Sequence, residues 1–161
     1  MLELSKLDSP NLKLNKQVFD LAKLTSEILS NYEALPDGKA INFAVDTPDG
    51  KCYITADRDL INRAIENLVD NAVKYSDANT VIEVIVTGKA FTITNTCSAL
   101  QSADMKSLME AYRISDASRT AGHSSGTGLG LSITKTILNL HHMTMNCRVK
   151  EGIVTFRIHL L

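Results

Sequence analysis

Apolar residues recur at Leu60, Ile61, Ala64, Ile65, Leu68, Val69, Ala72 and Val73. Spacing of i, i+1, i+4, i+5 marks one buried face of an α-helix and predicts a helix from Asp57 to Ser76. A second helix is predicted across Ala22 to Leu35, stopped by the proline and glycine of "LPDGK". A third is expected over Ser102 to Tyr112 and a fourth over Leu129 to Leu140. Elsewhere the pattern shortens to strand period. "NLKLNKQVFDL" reads as a short strand. "INFAVD" and "KCYIT", joined by the turn "TPDG", read as two paired strands. "VIEVIVTG" and "FTITNT" read as a hairpin, as do "MTMNCRVK" and "IVTFRIHLL" across the turn "EG". Arg113 to Ser125 is polar and aperiodic, and a mobile loop is expected there.

Strands outnumber helices and most are joined as hairpins. The fold class expected is therefore α/β, a two-layer sandwich of a mixed, mainly antiparallel sheet covered by about three helices. A chain of 161 residues, 44% hydrophobic and 22% charged, suits one globular domain with a core of its own. The net charge of −1 argues against nucleic acid and against an anionic membrane surface as partners. No apolar run approaches the length of a bilayer span, and Met1 opens no signal-peptide pattern. The three cysteines, Cys52, Cys97 and Cys147, are odd in number and far apart, which reads as reduced thiols in a cytoplasmic protein.

Chemistry enters on the polar side of the 57–76 helix. Asn67, Asn71 and Lys74 fall within roughly 60° of one another at helical pitch. A solvated face explains them equally well. Asparagine, however, is a middling helix former, whereas its carbonyl oxygen can ligate Mg²⁺ and a lysine can meet phosphate. The segment "SSGTGLGLSITKTILNLHH" adds glycines at 126, 128 and 130 ahead of a helix. Glycines there admit close approach of phosphate to backbone N–H groups, with the positive end of the helix behind them. Packing is the alternative reason for them. Neither the P-loop nor the dinucleotide pattern fits, because no Gly-Lys-Ser/Thr follows and the run does not follow a strand.

Taken together, "ENLVDNAVKYS", "LMEAYRISDASRT" and "GTGLGLSITKTILNLH" resemble, in order and spacing, the N box, the F box with the start of the ATP lid, and the G2 box of sensor histidine kinases. The resemblance covers almost the whole chain. It implies the Bergerat-type ATP-binding fold shared with DNA gyrase, and ATP and Mg²⁺ as cofactors. It places Asn67 and Asn71 on Mg²⁺ and triphosphate oxygens, Lys74 on phosphate and Tyr75 by the nucleotide. Arg113 would reach the phosphates, with Tyr112 near sugar or base; a core aromatic is an equal reading of Tyr112, and Arg119 reads as a solvated charge. The backbone of Gly126, Thr127, Gly128, Leu129, Gly130 and Leu131 would hold phosphate. Residues 1–9 resemble the end of a dimerisation and phosphoacceptor helix, leaving 10–161 as the catalytic domain. The implied partners are the phosphoacceptor domain of the same kinase and a cognate response regulator, with this part cytoplasmic in a membrane-anchored sensor and making no direct membrane contact.

The chain also departs from the family. Where the G1 box carries an aspartate that accepts a hydrogen bond from adenine, this sequence has Asn95, and Cys97 and Ala99 replace its glycines. Losing the charge should cost adenine affinity about tenfold, and the two replacements should restrict the turn. Leu108 and Ala111 stand where the F box has phenylalanines. None of His123, His141, His142 and His159 sits in a phosphoacceptor motif. Three readings follow: a protein-histidine kinase domain, a hydrolysing ATPase of the gyrase kind, and a nucleotide-sensing pseudokinase. Hydrolysis would want a glutamate at the position of Asn67, and Glu66 lies about 100° round the helix.

Overall fold

The computed structural model describes residues 6–33, 39–100 and 127–160. The predicted helix at 102–112, the loop at 113–125 and the "LPDG" stop lie outside the described residues. In chain order the elements are β1 (Lys16–Asp20), α1 (Leu21–Ser30), β2 (Asn42–Asp46), β3 (Tyr53–Asp57), α2 (Arg58–Tyr75), β4 (Val81–Val86), β5 (Ala90–Thr96), α3 (Thr127–Leu140), β6 (Thr144–Lys150) and β7 (Ile153–His159).

Five strands form the main sheet in the order β2-β4-β5-β7-β6, and β1 and β3 form a separate two-stranded sheet. The β2–β4 pair is parallel, and every other pair in the main sheet is antiparallel. This is the mixed, mainly antiparallel α/β sandwich that the pattern predicts. Strict alternation builds it. Along β4, Ile82, Val84 and Val86 are buried while Val81, Glu83 and Ile85 face out. The inward row of β5 is Phe91, Ile93 and Asn95. Against these pack Ile61, Ala64, Ile65, Leu68, Val69 and Ala72 of α2, with Leu131, Ile137 and Leu138 of α3. The three free cysteines are all buried, and burial raises the Cys147 thiol to about 11, which keeps it protonated and unreactive.

The pairing expected between "INFAVD" and "KCYIT" does not form. β2 instead joins β4, with Phe43 opposite Ile82, and β3 joins β1, with Val18 opposite Thr55. The reason is visible just before β3. Asp20 Oδ1 accepts the Cys52 N–H at 2.9 Å, and the Cys52 carbonyl accepts the Leu21 N–H at 2.8 Å. The chain is thus tied to the end of β1 before Tyr53 is reached. Helix α1 also stops at Ser30, short of the expected Leu35, as the Asn31 and Tyr32 N–H groups close a tighter final turn on Ile28 and Leu29.

Candidate functional site

Helix α2 is fixed at both ends. Asp57 is its N-cap, accepting the Leu60 N–H at 3.3 Å through Oδ1 and the Asn15 N–H at 2.9 Å through Oδ2. The Asp57 N–H itself donates to Nε2 of His141 at 3.0 Å. With Nε2 accepting, the His141 proton sits on Nδ1, which donates to the Ile137 carbonyl at 2.7 Å. The imidazole is buried and locks the C-terminal end of α3 to the start of α2. At the other end, Lys39 Nζ donates to the carbonyls of Lys74 at 2.6 Å and Val73 at 3.2 Å. A cation there also suits the negative end of the helix dipole. Neither His141 nor Lys39 emerged from the sequence as a positioning group. No local signal announces Lys39, whereas a histidine at a helix end could have prompted a search for a partner.

The amide-bearing face of α2 meets the beginning of α3. Asn67 Nδ2 donates to the Gly130 carbonyl at 3.2 Å and lies 3.4 Å from Thr134 Oγ1. The oxygen of this side chain is then the end that can ligate a hard cation. Asn71 follows one turn along and is half-buried, and Lys74 beyond it is exposed. The Lys74 ammonium lies 5.4 Å from the centroid of the half-buried Tyr75 ring. Glu66 lies on the other flank, close enough to Tyr32 to help raise its phenol pKa behind burial and the hydrogen bond that Tyr32 donates to Asp70.

Helix α3 begins at Thr127, two residues earlier than the predicted Leu129. Gly128 and Gly130 are therefore helical and do not form a loop ahead of the helix. The first-turn N–H groups of any helix lack an intrahelical acceptor, so they remain donors suited to an anion. Leu131 is buried in the core, leaving only its backbone to offer a ligand. Tyr112, Arg113, Arg119 and Gly126 lie outside the described residues.

Asn95 occupies the last inward position of β5, and among the described residues its amide nitrogen has no hydrogen-bond partner although the residue is only 5% exposed. An unpaired buried donor costs about 1–3 kcal/mol. The end of β5 lies beside the end of α2: the Asp77 N–H donates to the Thr96 carbonyl at 2.8 Å, and Asp77 Oδ2 accepts the Ser98 N–H at 3.0 Å. The segment from Cys97 to Ala99 turns without using the left-handed region that glycine would open. The Leu100 N–H closes on the Cys97 carbonyl at 3.0 Å with no positive φ between them. The glycine required here is Gly152, at φ +76°, where an added Cβ would lie 3.1 Å from Ser98 Cα.

The family described as "Histidine kinase-, DNA gyrase B-, and HSP90-like ATPase" matches residues 56–161. The chain is 32% identical to the probable sensor protein PcoS of Escherichia coli, over 100% of this chain and 34% of that protein. It is 28% identical to the heme sensor protein HssS of Staphylococcus aureus, over 99% of this chain and 35% of that one. The chain thus spans about a third of the length of these two relatives. The catalytic domain of histidine kinase ThkA shares the fold with a TM-score of 0.74 at 22% identity, covering 91% of this chain and 95% of that domain. The chain belongs to the histidine kinase-, DNA gyrase B- and HSP90-like ATPases, as an ATP-binding domain of the sensor histidine kinase kind.

The residues present fit the ligands that this family implies. Asparagine oxygens suit Mg²⁺, and no cluster of three His, Cys, Asp or Glu among the described residues offers a metal site by itself.

Proposed function

We propose that this chain binds Mg–ATP between the polar face of α2 and the first turn of α3, and transfers the γ-phosphoryl group to a histidine on a separate phosphoacceptor domain. The observation that carries the reading is the 3.2 Å bond from Asn67 to the Gly130 carbonyl. It supports a site in which side-chain amides from one helix and orphan backbone N–H groups from the other share a single phosphate chain. Asn67 and Asn71 would hold the cation through their carbonyl oxygens. Lys74 and Arg113 would meet phosphate oxygens, with Tyr75 and Tyr112 against the nucleoside. Mg²⁺, when bound, supplies neutralisation of the phosphate charge. The protein's task is positioning and charge stabilisation. The phosphorus–oxygen bond to ADP breaks as a phosphorus–nitrogen bond to the acceptor imidazole forms, and the imidazole loses its proton.

Transfer is favoured over hydrolysis by the flank on which Glu66 lies, with Tyr32 and away from the Asn67–Gly130 contact. The similarity to sensor proteins supports a dimerisation domain and a response regulator as partners, and a cytoplasmic position in a membrane-anchored sensor. No helix among the described residues is long and apolar enough to cross a membrane.

Calorimetric titration with ATP, with and without Mg²⁺, tests the binding step, and a phosphoacceptor domain added in trans tests the transfer. Magnesium-dependent binding with transfer is expected. Phosphate release without an acceptor would turn the reading toward a hydrolase, and silence at millimolar nucleotide toward a pseudokinase. Asn71→Ala should weaken Mg–ATP binding about tenfold or more by removing a half-buried polar ligand, without lowering stability, because alanine is the better helix former. Unchanged affinity in that variant would count heavily against the site.

A further inference from the structure

We propose that the open face of the main sheet is a self-association surface, on which a second copy of this chain docks about a two-fold axis running along β5. The inference is independent of the nucleotide site, because α2 and α3 pack on the opposite face of the same sheet. Three exposed large apolar side chains, Val81, Ile85 and Ile153, lie on the open face. Its charges are sorted by strand. Asp46 and Glu83 stand on β2 and β4, whereas Arg157, Arg148 and Lys150 stand on β7 and β6. A column of Thr92, Thr94 and Thr96 on β5 divides them. None of these five charged groups has an ion pair among the described residues. A surface built only for water intersperses its two signs; this one separates them.

The strand register decides which groups would meet. β5 is the central strand of five, so a two-fold axis along it sets β4 against β7 of the second copy and β2 against β6. Residues level with one another on one copy stay level on the other. One level runs Ala44, Glu83, Thr94, Thr155, Arg148, and the next runs Asp46, Ile85, Thr92, Arg157. Arg148 of one copy therefore comes down on the small side chain of Ala44, between Glu83 and Asp46 of the other. Arg157 comes down on Ile85, beside the same two carboxylates. Continuing the β4–β5 register by two residues puts Val81 level with Thr96 and Ile153, so Val81 meets Ile153. An axis across the strands would instead set acid on acid and base on base. Strands about 4.8 Å apart and about 17 Å long give this face roughly 400 Å² per copy. That is small for a permanent dimer and suits a weak one.

Sedimentation equilibrium of this chain at low salt, from about 20 µM to about 1 mM, tests the proposal. A monomer–dimer equilibrium is expected, weakening about tenfold or more in about 0.5 M salt. Glu83→Arg and Arg148→Glu should each weaken the dimer about tenfold or more, because each sets like charges together at both symmetric contacts. Mixed in equal amounts, the two variants should associate again, since each supplies the charge that the other lacks. That recovery arises only where Glu83 of one copy faces Arg148 of the other. A wild-type chain that stays monomeric at about 1 mM would overturn the inference and leave the face to solvent or to another partner. Association unchanged by Glu83→Arg would overturn it too. So would a mixture that recovers nothing while circular dichroism shows both variants folded. The wild-type measurement decides the matter even if a variant does not fold.

Discussion

The two helices that face each other across the candidate site are held differently. Helix α2 is tied at its start by Asp57, Asn15 and His141, and at its end by Lys39 and Asp77. Helix α3 is tied at its end, where the His142 and Met143 N–H groups return to Asn139 and Leu138 around a His142 φ of 58°. Nearer its start, the described side chains that hold it are the Asn67 amide on the Gly130 carbonyl and the buried Leu131. A metal-ligating surface needs fixed side chains, since an ångström of misplacement weakens every ligand at once. A helix start that presents backbone N–H groups to phosphate can be set by the ligand itself. Under the proposed function, α2 would be the platform and the first turn of α3 would offer its backbone N–H groups.

The largest break in this contrast should come from His141, which belongs to both helices. His141→Ala leaves the Asp57 N–H buried without an acceptor and opens a ring-sized gap at the foot of α2. We expect a loss of about 2–4 kcal/mol in urea unfolding, from cavity and orphaned donor together. A loss below about 0.5 kcal/mol, the size usual for surface substitutions, would mean that the imidazole is not what joins the helices. Next in size is Lys39→Met, which keeps the stem and removes the ammonium from the last carbonyls of α2. It should cost about 0.5–2 kcal/mol. It should also loosen nucleotide binding several-fold, because Lys74 and Tyr75 ride on that end. Lost stability with intact binding would show that capping serves the fold alone.

Much of the platform was legible in the sequence. The apolar stripe from Leu60 to Val73 and the flanking Asp57 and Ser76 gave both the helix and its ends, because period and caps agree there. The two tight hairpins were equally plain, since alternation and turn chemistry lie within a few residues of each other. What could not be read was set by distant partners. The match of β3 to β1 depends on Asp20 reaching Cys52, which no strand pattern encodes. The early end of α1 lets Tyr32 reach Asp70 and set its ring edge-on to Phe43 at 6.3 Å, a tertiary preference that overrides a favourable helical run. The start of α3 was placed late because glycine reads as a loop, although its penalty is smallest where a helix has no bonds to lose. In the site itself, the row Asn67, Asn71, Lys74 was visible as a helical face. Its contact with Gly130 was a guess about two segments some sixty residues apart. That the Asn95 amide is buried, and without a partner among the described residues, could not be read from the sequence.

The smallest expected effect sharpens the contrast most. If Gly130 were present to let α3 pack on α2, a methyl group there would strike its neighbour. It would not: an added Cβ lies 3.9 Å from both Cβ and Cγ of Asn67, an ordinary contact distance. Packing therefore tolerates alanine, and helix propensity favours it by about 0.5–1 kcal/mol. Gly130→Ala should raise stability by that amount, and thermal unfolding without ligand will show it. If the proposed site is right, Mg–ATP affinity should fall in the same variant, since a methyl group would then stand where phosphate approaches the backbone. Greater stability with unchanged affinity would free the glycine from any phosphate role, leaving Gly126 and Gly128 to supply it. Lower stability would mean that the seam between the helices closes more tightly than 3.9 Å allows, and that the glycine serves the fold after all.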